Sequence, residues 1–223
     1  MIKVFAVHTA LAMVEPVTAL FKEHLPDAKL NHIVDDSLIQ EVIEKNAVTP
    51  AVAKRLMSCF QMAVDAGADI IFNTCSSVGE IAQVARKIIP IPLLKIDDPM
   101  AIRAVETADR IGVLATLPTT LAPTVALLKT MAIERKRGIE VVEGLAEGAF
   151  QAVMVGDREK HDNLILKASE AVADKVDLIV LAQGSMAKIE GRLAEVTGKT
   201  VLSSPLSGVL AVKKYIKDML LNE

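Results

Sequence analysis

An α/β fold of two pseudo-symmetric lobes, each a four-stranded parallel sheet flanked by helices, is the class this sequence predicts. Three observations lead there. The 223 residues are 52% hydrophobic but only 3% aromatic, with no Trp, and a palette of Ala, Val, Ile and Leu suits buried parallel strands covered by helices. Short, often β-branched apolar runs alternate with longer stretches of helical period. The second half of the chain also repeats the first, element by element.

The first strand is expected at 2–7. Lys3 followed by the apolar stretch Val4 to Val14 has the outline of a secretory leader, but His8 and Thr9 interrupt it and no A-x-A cleavage signal follows. Further strands are expected at 30–34, 69–73 and 92–96, then at 110–115, 139–143, 177–182 and 200–203, each followed by a helix, so that a βα unit recurs eight times. The crossovers between parallel strands are right-handed. A last helix at about 206–220 is expected to pack back on the first lobe. The lobes then comprise 1–97 plus 206–223 and 98–205, each large enough for its own core.

The repeat is visible residue by residue. Ala68-Asp69-Ile70-Ile71-Phe72 aligns with Val176-Asp177-Leu178-Ile179-Val180 at an offset of 108 residues, which also pairs Ile33-Val34 with Val141-Val142 and Leu93-Leu94 with Val201-Leu202. Ser77 then meets Ser185, and Cys75 meets Gln183. The opening strand matches Arg110 to Thr116 at an offset of 107, making Thr9 and Thr116 counterparts. In open parallel sheets ligands bind beyond the carboxyl ends of the strands, so the active site is expected in a cleft between the two lobes.

Charge and composition exclude several classes. Lys+Arg 25 against Asp+Glu 28 gives a net charge of -3, and with no basic stripe and few aromatics for base stacking, no nucleic-acid partner is expected. Mean hydropathy is +0.39, yet no apolar run approaches the 18 or so residues of a membrane span, so no membrane association is expected. Two cysteines cannot build a disulfide framework, and a reducing cytoplasm fits them. There is no P-loop, no G-x-G-x-x-G after a strand, no H-E-x-x-H and no zinc-spaced cysteine pair.

The chemistry-bearing segment is Asn73-Thr74-Cys75-Ser76-Ser77-Val78-Gly79-Glu80. Ser77 followed three places on by Glu80 reads as a capping box, which sets Cys75 just before a helix N-terminus. Unpaired N–H groups there favour a thiolate and lower a thiol's pKa. Polar neighbours on both sides make a dry core position a poor fit for Cys75, whereas Cys59, inside a helical stretch, reads as an inert buried thiol. Asp98 before Pro99 reads as a helix cap, with capping also the preferred role for Asp97.

These segments resemble a known family. The strand-Asn-Thr-Cys-Ser-Ser-helix run, Gly112-Val113-Leu114-Ala115-Thr116-Leu117-Pro118-Thr119-Thr120 and Leu181-Ala182-Gln183-Gly184-Ser185-Met186-Ala187 look like the signature loops of the aspartate/glutamate/hydantoin racemase superfamily. The resemblance, with the repeat, covers nearly the whole chain. It implies cofactor-independent proton transfer beside a carboxylate between two thiols on opposite faces of the substrate. It also implies a homodimer and a small carboxylate-bearing substrate, with no metal.

Cys75 matches the first of those thiols, but Gln183 stands where the second is expected, and an amide is neither acid nor base. The catalytic set is then Cys75 with Gln183 at the second position and His8, which ends the first strand where glutamate racemases carry an aspartate. His8 fits proton exchange with Cys75 and a structural role equally well. Thr9, Asn73, Ser76, Ser77, Thr116, Thr119, Thr120, Gly184 and Ser185 are the expected substrate-binding residues, their hydroxyls and N–H groups suiting a carboxylate or enolate, with capping or turn roles open for several. Three functions are compatible: a racemase-type isomerase, a one-thiol lyase that decarboxylates a small dicarboxylate, and a non-catalytic module that binds a small acid.

Overall fold

A computed structural model of the chain describes residues 1–221. Two compact units divide it, one comprising Met1–Asp98 and the segment from Pro205 onward, the other Pro99–Ser204.

The first unit runs β1 (Lys3–His8), α1 (Val14–His24), β2 (Lys29–Val34), α2 (Ser37–Lys45), α3 (Pro50–Asp65), β3 (Ile70–Asn73), α4 (Gly79–Ala85) and β4 (Leu93–Lys95). The strands pair in parallel in the order β2-β1-β3-β4. Side chains alternate between the faces of a strand, and the two cores follow that alternation. Val4, Ala6, Ile70 and Phe72 pack with Val17 and Phe21 of α1 and with Val209, Val212 and Ile216 near the end of the chain. Val7 and Ile71 face Leu38, Val42, Leu56, Phe60 and Ala82 on the opposite side.

The second unit repeats the plan as α5 (Asp98–Thr107), β5 (Arg110–Ala115), α6 (Pro118–Glu134), β6 (Glu140–Leu145), α7 (Ala149–Met154), α8 (Arg158–Ala173), β7 (Leu178–Leu181), α9 (Glu190–Thr197) and β8 (Thr200–Leu202). Its sheet is again parallel, in the order β6-β5-β7-β8. Ile111, Val113, Leu178 and Val180 line one core and Leu114, Ile179 and Leu181 the other. Gly112 and Gly144 let α8 lie close on the sheet: a Cβ on Gly112 would stand 2.6 Å from Val172 Cγ1, and one on Gly144 2.9 Å from Val172 Cγ2.

The α/β class and the two four-stranded parallel sheets are as the sequence predicts. Simple βα alternation is not: the crossovers after β2 and β6 each carry two helices, in corresponding places of the two units. The last helix, α10 (Ser204–Leu221), returns to the first unit. Gly208 makes that return possible, since a Cβ there would lie 2.7 Å from the Ile96 carbonyl oxygen. Among the described residues no helix is long and apolar enough to cross a membrane.

Candidate active site

In the first unit, β3 delivers the chain to Cys75, which caps a 3-10 turn over Ser76–Val78 with extended backbone, φ −124 and ψ 118. Asn73, wholly buried, donates from Nδ2 to the Cys75 carbonyl at 3.0 Å and so fixes the turn just beyond the strand. Ser77, expected to cap the helix, lies inside the 3-10 turn, and α4 starts from Val78, whose side chain makes no cap bond. The tight turn takes up the residues that an immediate α-helix would have used.

Cys75 is partly exposed. Burial of the sulfur pushes its pKa above the ordinary thiol value, and a hydroxyl from Thr9 and backbone N–H groups of Ser77 and Val78 act against that push while the Asp97 carboxylate adds to it. The net direction is upward, contrary to the lowering expected from the helix N-terminus alone. The donors are present as expected, and desolvation outweighs them. Cys75 is therefore a protonated thiol at neutral pH, ready to give a proton. The Ser77 N–H, expected to serve a substrate carboxylate, is directed instead at the sulfur, with the Val78 N–H beside it. Thr9 Oγ1 is buried and makes no hydrogen bond of good geometry, which leaves it available to a thiolate.

His8 is wholly buried, with Nδ1 2.9 Å from Thr74 Oγ1 and Nε2 2.9 Å from His32 Nδ1. His32 Nε2 continues to Thr18 Oγ1 at 3.1 Å, which donates to the Val14 carbonyl at 2.7 Å. Burial first, and the nearby His32 second, lower the His8 pKa to about 4. Burial lowers that of His32 as well. The pair is thus neutral at pH 7. Thr74 Oγ1 also lies 3.1 Å from the Val7 carbonyl, to which its one proton can be given; when it donates to His8 instead, His8 donates to His32, His32 to Thr18 and Thr18 to Val14. Both nitrogens of His8 are engaged, so its link to Cys75 runs through the neighbouring Thr74.

Beneath the Cys75 turn lies a group of charges, Lys95 and Arg86 with Asp97 and Asp98, of which the sequence presents the two aspartates as caps. Lys95 is 5% and Asp97 2% exposed. Lys95 Nζ stands 3.0 Å from Asp98 Oδ1 and 3.6 Å from Asp97 Oδ1, and Arg86 meets Asp98 Oδ2 at 2.5 Å. Burial raises the Asp97 pKa, against the pull of Lys95 and of a hydrogen bond from the Ser76 hydroxyl. Asp98 opens α5, its carboxylate given to Arg86 and Lys95. A lysine inside the apolar run 92–96 was the available sequence signal, since a strand lysine without solvent needs a buried partner.

In the second unit, Gln183 caps a 3-10 turn over Gly184–Ile189 with φ −117 and ψ 135, the same backbone role as Cys75. Its side chain turns to β5: the Thr116 N–H donates to Gln183 Oε1 at 2.8 Å, and Gln183 Nε2 donates to Thr116 Oγ1 at 2.6 Å. Gly184 is half-buried and Ser185 exposed. Thr120 is buried and its carbonyl accepts from Thr124 Oγ1 at 2.9 Å, while the buried Thr119 Oγ1 has no hydrogen bond. The structure thus ties Gln183 to Thr116, and in the first unit brings Thr9, Ser76, Ser77 and Asn73 around Cys75. Among the described residues no three His, Cys, Asp or Glu side chains converge as metal ligands would.

The profile of the Asp/Glu/Hydantoin racemase family matches residues 2–212. The chain belongs to that family. No curated protein sequence is matched. Among solved structures, a glutamate racemase from Francisella tularensis, in complex with D-glutamate, superposes with a TM-score of 0.78 at 13% identity, covering 99% of this chain and 82% of that one. An aspartate racemase from Picrophilus torridus gives 0.70 at 17% identity, covering 96% and 94%. An allantoin racemase from Klebsiella pneumoniae gives 0.68 at 17% identity, covering 97% and 88%. At such identities these structures share the family fold, and family membership supports an enzyme of the racemase type.

Proposed function

We propose that the chain is a racemase-type isomerase that moves a proton at the carbon next to a carboxylate, without cofactor or metal, and that Cys75 is the group that carries the proton. The observation behind this reading is the placing of donors about the Cys75 sulfur: the Ser77 and Val78 N–H groups, with the otherwise unbonded Thr9 hydroxyl beside them. They favour the thiolate over the thiol. A neutral thiol that hands its proton to a carbanion becomes that thiolate, so the donors stabilise the charge that appears as the proton leaves. In the reverse direction the thiolate takes the proton back. The substrate class is a small acid bearing a carboxylate; the family resemblance implies a homodimer, and the two cysteines suit a reducing cytoplasm.

Gln183 supports a second reading. Its amide is committed to Thr116 and offers no acid or base, so a one-thiol lyase, in which loss of carbon dioxide makes the carbanion and Cys75 protonates it, uses the same residues.

Proton NMR in D2O with a panel of amino acids, hydantoins and substituted malonates tests both. Deuterium entry beside the carboxylate with inversion, lost in Cys75→Ala, is the isomerase result. Carbon dioxide release that needs Cys75 is the lyase result. Turnover that survives Cys75→Ala would overturn both.

A further inference from the structure

The buried charges under the Cys75 turn have no part in the scheme above, yet they are tied to it. β4 pairs with β3 in the register Asn73↔Lys95, and the Ile96 N–H donates to the Asn73 carbonyl at 2.9 Å. The residues that leave the two strands, Cys75 and Ser76 on one and Asp97 on the other, therefore emerge side by side. The Ser76 hydroxyl, one residue from the thiol, is held by the Asp97 carboxylate. Lys95 lies against the next part of the same segment, for a Cβ on Gly79 would stand 3.1 Å from Lys95 Cε and 3.3 Å from its Nζ.

A buried ionic group is a poor source of stability, because desolvation consumes what the pairing returns. Asp97 is an incompletely paired case. Its Oδ1 accepts no hydrogen bond, and Lys95 at 3.6 Å is closer to Asp98. Asp97 stands immediately before Asp98, the first residue of α5, and so has the cap position, yet its carboxylate is shared with Lys95 and the Ser76 hydroxyl.

We propose that Asp97 is a positioning residue for Cys75: held by Lys95 and the Ser76 hydroxyl, its carboxylate fixes the turn that carries the thiol and keeps the proton on the sulfur until substrate takes it. The inference rests on the reading of Cys75 as the proton carrier. A negative charge near a thiol opposes formation of a second one, and the Asp97 carboxylate does raise the Cys75 pKa, as a smaller effect than burial. The other charges facing this carboxylate are Lys95 and Asp98, with Arg86 beyond Asp98. When Cys75 gives its proton to the substrate carbon, the S–H bond breaks, the C–H bond forms, and the electron pair stays on sulfur. Asp97 makes that thiolate less stable, which weakens the thiol as an acid but makes the thiolate a stronger base, so that it takes a proton back readily from substrate carbon or from water.

The test is the pH dependence of Cys75 alkylation by iodoacetamide, followed by mass spectrometry so that Cys59 is scored separately. Asp97→Asn keeps the shape and the Ser76 contact but removes the charge, and the midpoint for Cys75 should fall by about half a pH unit to one unit. Asp97→Glu should restore the wild-type midpoint. Lys95→Gln, the opposite change, should raise it. A folded Asp97→Asn protein with an unmoved midpoint overturns the proposal; if that variant does not fold, an unmoved midpoint in Lys95→Gln does so. Alkylation needs no turnover, so this result stands apart from the Cys75→Ala exchange experiment, whose failure would instead remove the proton-carrier reading.

Discussion

Gln183 and Thr116 hold each other through two hydrogen bonds, the Thr116 N–H donating to the Gln183 side-chain oxygen at 2.8 Å and the Gln183 amide donating to the Thr116 hydroxyl at 2.6 Å. The register explains why these two meet. Leu114 pairs with Leu181 across β5 and β7, and Thr116 and Gln183 each follow that pair by two residues, just past the strand ends.

Gln183→Ala should therefore cost about 1 to 2 kcal/mol, since it leaves both Thr116 groups without their acceptor and donor. Gln183→Glu should cost less at neutral pH, because a carboxylate still accepts from the Thr116 N–H and the hydroxyl can turn to donate to it. Urea unfolding of the three proteins at one pH gives the ranking, and equal losses for Ala and Glu would contradict it.

Asn73 links strand to turn through a single bond to the Cys75 carbonyl. Because the side chain is wholly buried, Asn73→Ala should destabilise the fold by about 1 to 3 kcal/mol. It should also depress turnover more than substrate affinity, because the thiol loses its fixed place while the acid-binding groups remain. Comparing kcat with KM once a substrate is in hand would separate this from a general loss of folded protein.

The neutral His8 predicts an acid-sensitive fold. Its pKa falls from 6.5 to about 4 on folding, so between those values the unfolded chain binds more protons than the folded one. Stability must then rise with pH through that window, and it is lost as pH drops from 6.5 toward 4. Full loss amounts to about 3 kcal/mol, with His32 shifting in the same direction. His8→Asn should flatten the slope of unfolding free energy against pH in that range; an unchanged slope would contradict the assignment.

Two glycines should respond oppositely to alanine. Gly208→Ala places a methyl 2.7 Å from the Ile96 carbonyl oxygen and should destabilise by about 1 to 3 kcal/mol as α10 is forced off the backbone that follows β4. Gly191→Ala in α9 meets nothing within 4 Å and should add about half a kcal/mol or more through helix propensity. Thermal unfolding of both variants reads the signs.

The sheets are legible in the sequence because apolar strand runs survive translation by 108 residues, and the same alignment sets Gln183 opposite Cys75. What it could not carry depends on register. His32 is paired with Ala6, two residues before His8 and therefore on the same face, a relation invisible until β1 and β2 are aligned. The elevated pKa of Cys75 was hidden for a related reason: helix-terminal donors can be read from local sequence, but the desolvation that outweighs them comes from distant segments. The cap position of Asp97, just before α5, is legible from Pro99, a strong local signal, whereas its tie to Ser76 needs β3 and β4 side by side.

The path of α10 bears on how the protein is made. The second unit is one uninterrupted stretch, Pro99–Ser204, whereas the first unit's core needs Val209, Val212 and Ile216 from the far end of the chain. During synthesis the usual order, in which the earlier domain folds first, is inverted: β1 emerges early yet waits for the last helix, while the sheet begun at Arg110 can close its core sooner. A chain stopped at Ser204 should thus protect the amides of β5 and β7 from hydrogen exchange while those of β1 and β3 exchange freely. Equal protection in both sheets would mean that the first unit needs no late helix to stay shut.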